Sequence, residues 1–371
     1  MVFFDTLLTG VNQGLLWAIM AIGVYISYRI LDFADLTVEG SFATGGATAA
    51  IIMTLSKDFV TKGAGQGTCM AIIALLVAMV LGGLAGLVTG LLNTKLKIAP
   101  ILAGILTMTG LYSINMLIMG IGTGNAMPNI GLGPVGTLFT KIGEFMPIGR
   151  NWVIFIVGVL AVAIVIGLIY WFFGTEMGSA MRATGNNEKM AKAQGINTQS
   201  SKILGLVISN ALVALSGALI TFQQSSSSNT MGVGSIVAGL AAIIIGEGIL
   251  SNKFPFWVRL ISVALGSIIY RIIIAYIYLT NISSEYVKLL TAILVVVALS
   301  IPLIKEKVNK VSRKSKKGDG NTPSGGEDIV KEEKIATDAD AGEELSKATA
   351  TQDKQTEQTV AGEESNLVGE V

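Results

Sequence analysis

Histidine is absent from the 371 residues, and the chain holds one cysteine, Cys69. Without imidazole there is no histidine metal ligand, no histidine proton relay and no Ser/His/Asp triad. A single thiol forms no internal disulfide. Charge is also scarce, at 14% Asp, Glu, Lys and Arg against 51% hydrophobic residues, and mean hydropathy is +0.66. That balance excludes an ordinary soluble enzyme. No GxxxxGK[ST] string occurs, so any ATP that drives this protein is bound by another chain. No basic residue precedes the first apolar run in MVFFDTLLTG, which predicts a retained first span and not a cleaved signal.

What is present is apolar and small, including 44 glycines. Apolar runs long enough to cross a bilayer lie near 6–28, 36–55, 68–92, 98–119, 151–173, 203–223, 231–250, 257–279 and 285–304. They predict an all-α, polytopic membrane bundle of about nine spans, within a range of eight to ten. The second and seventh runs are short and rich in Gly, Ser and Thr, so either is a candidate broken helix. The last 67 residues differ sharply. Lys305 to Val371 carries 11 of the 26 cations and 15 of the 25 anions, which leaves 15 and 10 for the first 304 residues. Two domains follow: a transmembrane domain, 1–304, and a charged tail, 305–371, too poor in apolar residues to build a core and expected to be disordered.

Lys and Arg in short loops mark the cytoplasmic side. With the N-terminus outside, nine loop cations fall inside, among them Arg29, Lys95, Arg182 and Lys202, and five fall outside, among them Lys57 and Arg150. The basic cluster that opens the tail, Lys305 to Lys317, then lies inside, where it can also meet anionic lipid headgroups. The expected location is the cell membrane, with many spans and a cytoplasmic tail.

A faint repeat is visible. Gly40-Ser41-x3-Gly45-x-Ala47 recurs 194 residues later as Gly234-Ser235-x3-Gly239-x-Ala241, and the same offset carries the first span onto the sixth and the third onto the eighth. Five spans separate the copies. An odd offset reverses direction, which makes the halves candidate inverted repeats; chance recurrence of small-residue helix contacts is the competing reading.

The long polar stretch Gly174 to Lys202 holds the most specific pattern. Asn186 or Asn187 is placed to cap a helix, Glu188 sits in its first turn, Lys189 and Lys192 follow, and Gly195 offers the left-handed conformation that ends it. So short a helix needs a surface to pack on, and Ala183, Ala191 and Ala193 permit close approach. The string Gly178-x-Ala180-x-Arg182-Ala183-x-Gly185-x-Asn187-x3-Ala191-x3-Gly195-Ile196 resembles the cytoplasmic loop of the permease subunits of ABC importers of the branched-chain amino-acid type. The segment Asp32-Phe33-Ala34-Asp35-Leu36 and the run GVGSIVAGLAAIIIGEGIL are similar to the same family, although Gly246-Glu247-Gly248 and the tail depart from its usual pattern.

The resemblance implies a transmembrane subunit that performs no bond chemistry and needs no cofactor or metal. It works with two ATP-binding subunits, a second permease copy, most simply as a homodimer, and an extracytoplasmic solute-binding lipoprotein; nucleic acid has no part. The loop helix becomes a coupling helix, with Arg182, Ala183, Gly185, Asn187, Ala191 and Gly195 as its residues. The implied cargo is an amino acid, hydrophobic or aromatic, with sugars or nucleosides as the alternative. Another class, an ion-gradient-driven secondary transporter, fits the repeat but lacks an evident proton relay.

Polar residues inside spans are candidates for the translocation path: Asn12, Gln13, Asn115, Asn210, Gln223 and the charged Arg271. The competing role for each amide is a helix-to-helix hydrogen bond. Gly120 to Arg150, with Pro128, Pro134 and Pro147, is the expected receptor dock or a plain linker.

Overall fold

The computed structural model describes residues 2–145, 149–249 and 255–279, with Ile293 and Val296 beyond them. All lie in one unit, Met1–Lys305. In chain order the helices are α1 (Val2–Tyr25), extended by a π-helical turn (Ile26–Ile30), α2 (Thr37–Leu55), α3 (Lys57–Val60), α4 (Ala64–Thr94), α5 (Pro100–Met119), α6 (Leu138–Gly143), α7 (Arg150–Phe173), α8 (Glu176–Asn186), α9 (Glu188–Ala193), α10 (Thr198–Gln224), α11 (Ser235–Ile249) and α12 (Phe256–Leu279). One antiparallel pair of three-residue strands, β1 (Asn129–Gly131) with β2 (Ser226–Ser228), joins the segments that follow α5 and α10.

Eight of the nine expected spans coincide with helices, and the ninth, 285–304, lies outside the described residues apart from Ile293 and Val296. Six helices among the described residues are long and apolar enough to cross a membrane: α1 with its π turn, α4, α5, α7, α10 and α12. The two segments flagged as possible broken helices, α2 and α11, are continuous at 19 and 15 residues, and they are short for a different reason. Each begins part-way along its neighbours. Ser41 in the first turns of α2 bonds Asn210, the midpoint of α10, and Gly239 in the first turn or so of α11 lies against Met20 and Val24 of α1.

Helix directions follow from the contacts. Ser216 Oγ donates to Leu16 O at 2.8 Å and Ser209 Oγ to Gly23 O at 2.7 Å, so α1 and α10 run antiparallel. Gly10 and Gly14 of α1 abut Ile272 and Ile268 of α12, while Gly82, Gly86 and Gly90 of α4 abut Asn210, Leu206 and Ile203 of α10. Hence α12 is antiparallel to α1, and α4 to α10. The offset of 194 relates α1 to α10 and α4 to α12, and each related pair points in opposite directions. The two halves are therefore inverted copies with matching packing: α1 lies along α12 as α10 lies along α4.

The centre of the bundle is α1 and α10, with 72% and 67% of their apolar windows buried against 28% for α5. The outward faces of α4, α5 and α7 carry exposed Leu, Ile and Val, as a bundle immersed in hydrocarbon requires. Where α2 and α4 meet α10, several contacts are made backbone to backbone. A β-carbon on Gly45 would run into the carbonyl of Ala214, one on Gly217 into that of Phe42, and one on Gly86 into that of Leu206. Helices in lipid gain adhesion from such close backbone approach, because burying apolar surface against lipid-like neighbours yields little.

Gly45→Val is expected to destabilise the fold by about 1–3 kcal/mol through overpacking of α2 on α10. Gly167, whose β-carbon would meet open space, should accept alanine without loss, since alanine favours the helix by about 0.5–1 kcal/mol. Thermal midpoints of the two variants in one detergent check this, and equal midpoints would count against backbone contact as the constraint.

Candidate coupling surface and translocation path

At one end of the bundle, the end opposite the β1–β2 pair, α8 and α9 form a compact unit. Thr175 caps α8 by accepting from Gly178 N, and Gly178 and Met181 are buried beneath it. A β-carbon on Gly185 would strike the carbonyl of Ile30, so α8 rests directly on the π turn that ends α1. Helix α8 was not legible in sequence, because its apolar content is low and its face is set by contact with α1 and α10. The short helix after it is α9. Asn187 Oδ1 accepts from Met190 N at 3.0 Å. At the other end, Gly195 adopts φ +81°, its N–H bonds Lys192 O, and Ile196 N–H bonds Ala191 O, both at 3.0 Å. That double bond is a Schellman closure.

Ala191 is buried, Ala183 is half-buried and Ala193 is exposed. Arg182 donates to the carbonyl of Phe173 at the end of α7, with its guanidinium 5.9 Å and 5.6 Å from the ring centroids of Phe173 and Phe256. It thereby ties α7, α8 and α12 together. Glu188 bridges Lys192 at 2.9 Å and Lys202 at 2.7 Å, clamping α9 to α10. Hydrogen bonds from Lys202 and then Lys192 lower its carboxyl from 4.5 to about 2. Two large apolar side chains remain outside, Met177 at 63% and Met190 at 53% exposure. Flexible, polarisable methionines suit a docking surface that must re-pack.

The middle of the bundle contains a buried polar network that joins four helices. Asp35 accepts from Thr37 N at 2.9 Å and from Asn210 Nδ2 at 2.6 Å. Asn210 Oδ1 accepts from Ser41 Oγ at 2.7 Å. The Thr37 and Thr89 hydroxyls pair at 2.6 Å, and Thr89 donates to Thr107 at 2.9 Å. Of the six residues proposed from sequence for the path, Asn210 alone belongs here.

Asn115 lies elsewhere, on the side of α2 that faces α5. Its Nδ2 donates to Gly40 O at 3.4 Å, and its Oδ1 is buried with no partner. It borders a cavity of about 200 Å³ shared with Glu39, Tyr112 and Asn229. Glu39 Oε1 accepts from Gly234 N at 2.9 Å, at the very start of α11. Asn12 Nδ2 bonds Asn151 O at 2.9 Å between α1 and α7, and Gln13 is half-buried beside it. Gln223 is half-buried near the β-pair end, where its main-chain carbonyl accepts from Arg150 at 2.8 Å. Arg271 stacks its guanidinium 3.4 Å from the centroid of Trp17, which in turn packs 5.0 Å from Phe42. Those six side chains thus fall in separate places. Asp35, Glu39 and Asn229 stand outside the six path candidates, and for the two acids a carboxylate within a run of small residues was the available signal.

A family profile described as the permease component of branched-chain amino acid transport systems matches residues 6–299. The chain belongs to that permease family. The tyrosine transport system permease protein of Clostridioides difficile is 38% identical over 306 residues, covering 82% of this chain and 93% of that one. The ribose import permease protein RbsC of Escherichia coli K12 is 25% identical over 284 residues, covering 76% and 81%. A probable branched-chain amino acid transport permease, LivH of Methanocaldococcus jannaschii, is 28% identical over 233 residues, covering 62% and 70%. No solved structure matches the permease significantly. The permease is accordingly a multi-pass membrane protein of a transport family and not of an enzyme family.

The lowered Glu188 carboxyl gives a pH test. Its bridges contribute fully above about 4.5, the value of the free group, and are lost as pH falls toward about 2. Amide protection of Met190 and Ala191 in the permease should fall across that window. Lys202→Ala should move the Glu188 midpoint upward, and an unchanged profile in that variant would discard the clamp.

Proposed function

We propose that the chain is the transmembrane subunit of an ATP-driven importer, and that the α8–α9 unit is where ATPase subunits push on it. The single observation that carries this reading is a short helix, α9, capped by Asn187, closed by Gly195 and bearing exposed Met190, which follows an α8 that bears exposed Met177 and rests on the end of α1. In this reading Gly185 and Ala183 let α8 sit close to the bundle, and Ala191 packs α9 down. Gly195 fixes the exit of the chain, Asn187 its entry, and Arg182 transmits force to α7 and α12 through Phe173 and Phe256. The partners are two ATP-binding subunits, a second copy of this chain and an extracytoplasmic solute-binding lipoprotein. The α8–α9 end is cytoplasmic, as is the tail, and the N-terminus is outside.

The cargo in this reading is an amino acid, with aromatic ones foremost. The 38% identity to a tyrosine permease, against 25% to a ribose permease, supports that choice. The ribose relatives make a sugar the second reading, and binding of tyrosine or ribose by the cognate receptor separates the two.

The test is uptake into proteoliposomes that hold the complete transporter. Wild-type uptake should require ATP inside the coupling compartment, and Gly195→Pro should cut it at least about tenfold, since proline both clashes with φ +81° and removes the bonded N–H. The same amount of protein should remain in the membrane. Solute accumulation by this chain alone on a proton or sodium gradient would overturn the assignment. Truncation after Lys317 should leave uptake unchanged, because the removed composition builds no core; loss of uptake with normal insertion would show an essential tail.

A further inference from the structure

The cavity between α2, α5 and the start of α11 is bordered by an unusual set of polar residues. Glu39 uses Oε1 for Gly234 N, and its Oε2 makes no hydrogen bond among the described residues. Asn115 and Asn229 commit their amide nitrogens to Gly40 O and Tyr112 O, at 3.4 Å and 3.1 Å. Those bonds orient both amides, and both Oδ1 atoms are buried without a partner. Thr109 turns its hydroxyl back to Ile105 O at 2.7 Å. No Lys or Arg lines the cavity, and Glu39 pairs with no cation among the described residues.

Buried acceptors left unmatched cost about 1–3 kcal/mol each, more for a charged group. The half-buried Glu39 carboxylate, with one oxygen uncommitted, and the two unpartnered amide oxygens beside it are best matched by a cationic donor with several N–H bonds. We infer that this cavity receives the ammonium group of the cargo, with Glu39 supplying the charge and Asn115 and Asn229 the two further acceptors. The inference rests on the amino-acid reading above and adds the residues that recognise it. A neutral sugar would satisfy the amide oxygens and leave the carboxylate unneutralised. Met108, Tyr112 and Val233 give the same cavity an apolar wall for a side chain. The site also lies where the two halves meet, since Glu39 belongs to α2 and its bonded N–H opens α11, so a switch between the halves opens or closes it. The amide oxygens are enclosed in the present state and meet the ammonium group when α5 shifts from α2.

The experiment compares wild type with Glu39→Gln in the complete transporter, reconstituted with its ATPase subunits and receptor, using radiolabelled tyrosine as the probe. Glutamine keeps an oxygen for Gly234 N and removes only the charge, so folding and receptor docking survive. Tyrosine uptake should fall at least about tenfold, the scale of a lost charge-assisted bond, while receptor-stimulated ATP hydrolysis stays within twofold. Glu39→Asp should restore part of the uptake, and Asn115→Leu should lower it with hydrolysis again retained. Uptake by Glu39→Gln within twofold of wild type overturns the ammonium site and leaves the importer reading standing. Wild-type import of ribose without tyrosine overturns the ammonium site together with the amino-acid cargo, and the importer reading stands. Dependence of uptake on sodium, seen on exchange for potassium, would assign the acceptors to a metal cation and overturn the inference alone.

Discussion

A helix that starts inside a membrane bundle exposes backbone N–H groups where water does not reach, and each must find an acceptor. Two helices of this protein start part-way along their neighbours, α2 buried and α11 at an exposed rim, and a carboxylate answers each. Asp35 accepts from Thr37 N at the head of α2, and Glu39 accepts from Gly234 N at the head of α11. The second of these crosses between the inverted halves. The short lengths of α2 and α11 and their contact with one another near the waist of the bundle all follow from having those starts satisfied. So does the polar network around Asn210. Remove the acceptors and neither helix has a reason to begin where it does.

Much of this architecture was legible in the chain, for reasons that are easy to name. Long apolar runs report spans directly, and the boundaries of α5 and α7 follow from Pro100 at the first helical position and from Gly149 before Arg150. The glycine repeat at an offset of 194 identified related segments because backbone contact tolerates so few residues at Gly45 and its neighbours. Asn187 and Gly195 marked α9 because capping is local chemistry. The depth at which α2 and α11 begin was not legible. It depends on which carbonyl or carboxylate lies across the bundle, and Asp35 to Asn210 spans 175 residues of sequence. For the same reason the polar residues of the spans did not sort themselves into one lining. Asn12, Asn115 and Asn210 look alike in sequence, yet one joins α1 to α7, one borders the Glu39 cavity and one holds the head of α2.

The α8–α9 surface and the middle of the bundle are connected by a short physical chain. Gly185 rests on the carbonyl of Ile30, Leu31 packs against Gly205 of α10, and Asp35 is four residues further on. In the importer reading, a displacement of α8 would reach the π turn of α1 and the segment that leads to the head of α2. Because close-packed interiors resist gradual deformation, such a push is met by movement of whole helices.

The Glu39 cavity has unequal walls. On α2 it is bounded by Gly40 and Ala43, behind which main chain meets main chain, whereas α5 contributes Met108, Thr109 and Tyr112 on a helix with a large free outer face. A change in the shape of this cavity therefore comes more readily from the α5 side, where volume can be traded residue by residue, than from the α2 side, where an added carbon soon meets main chain.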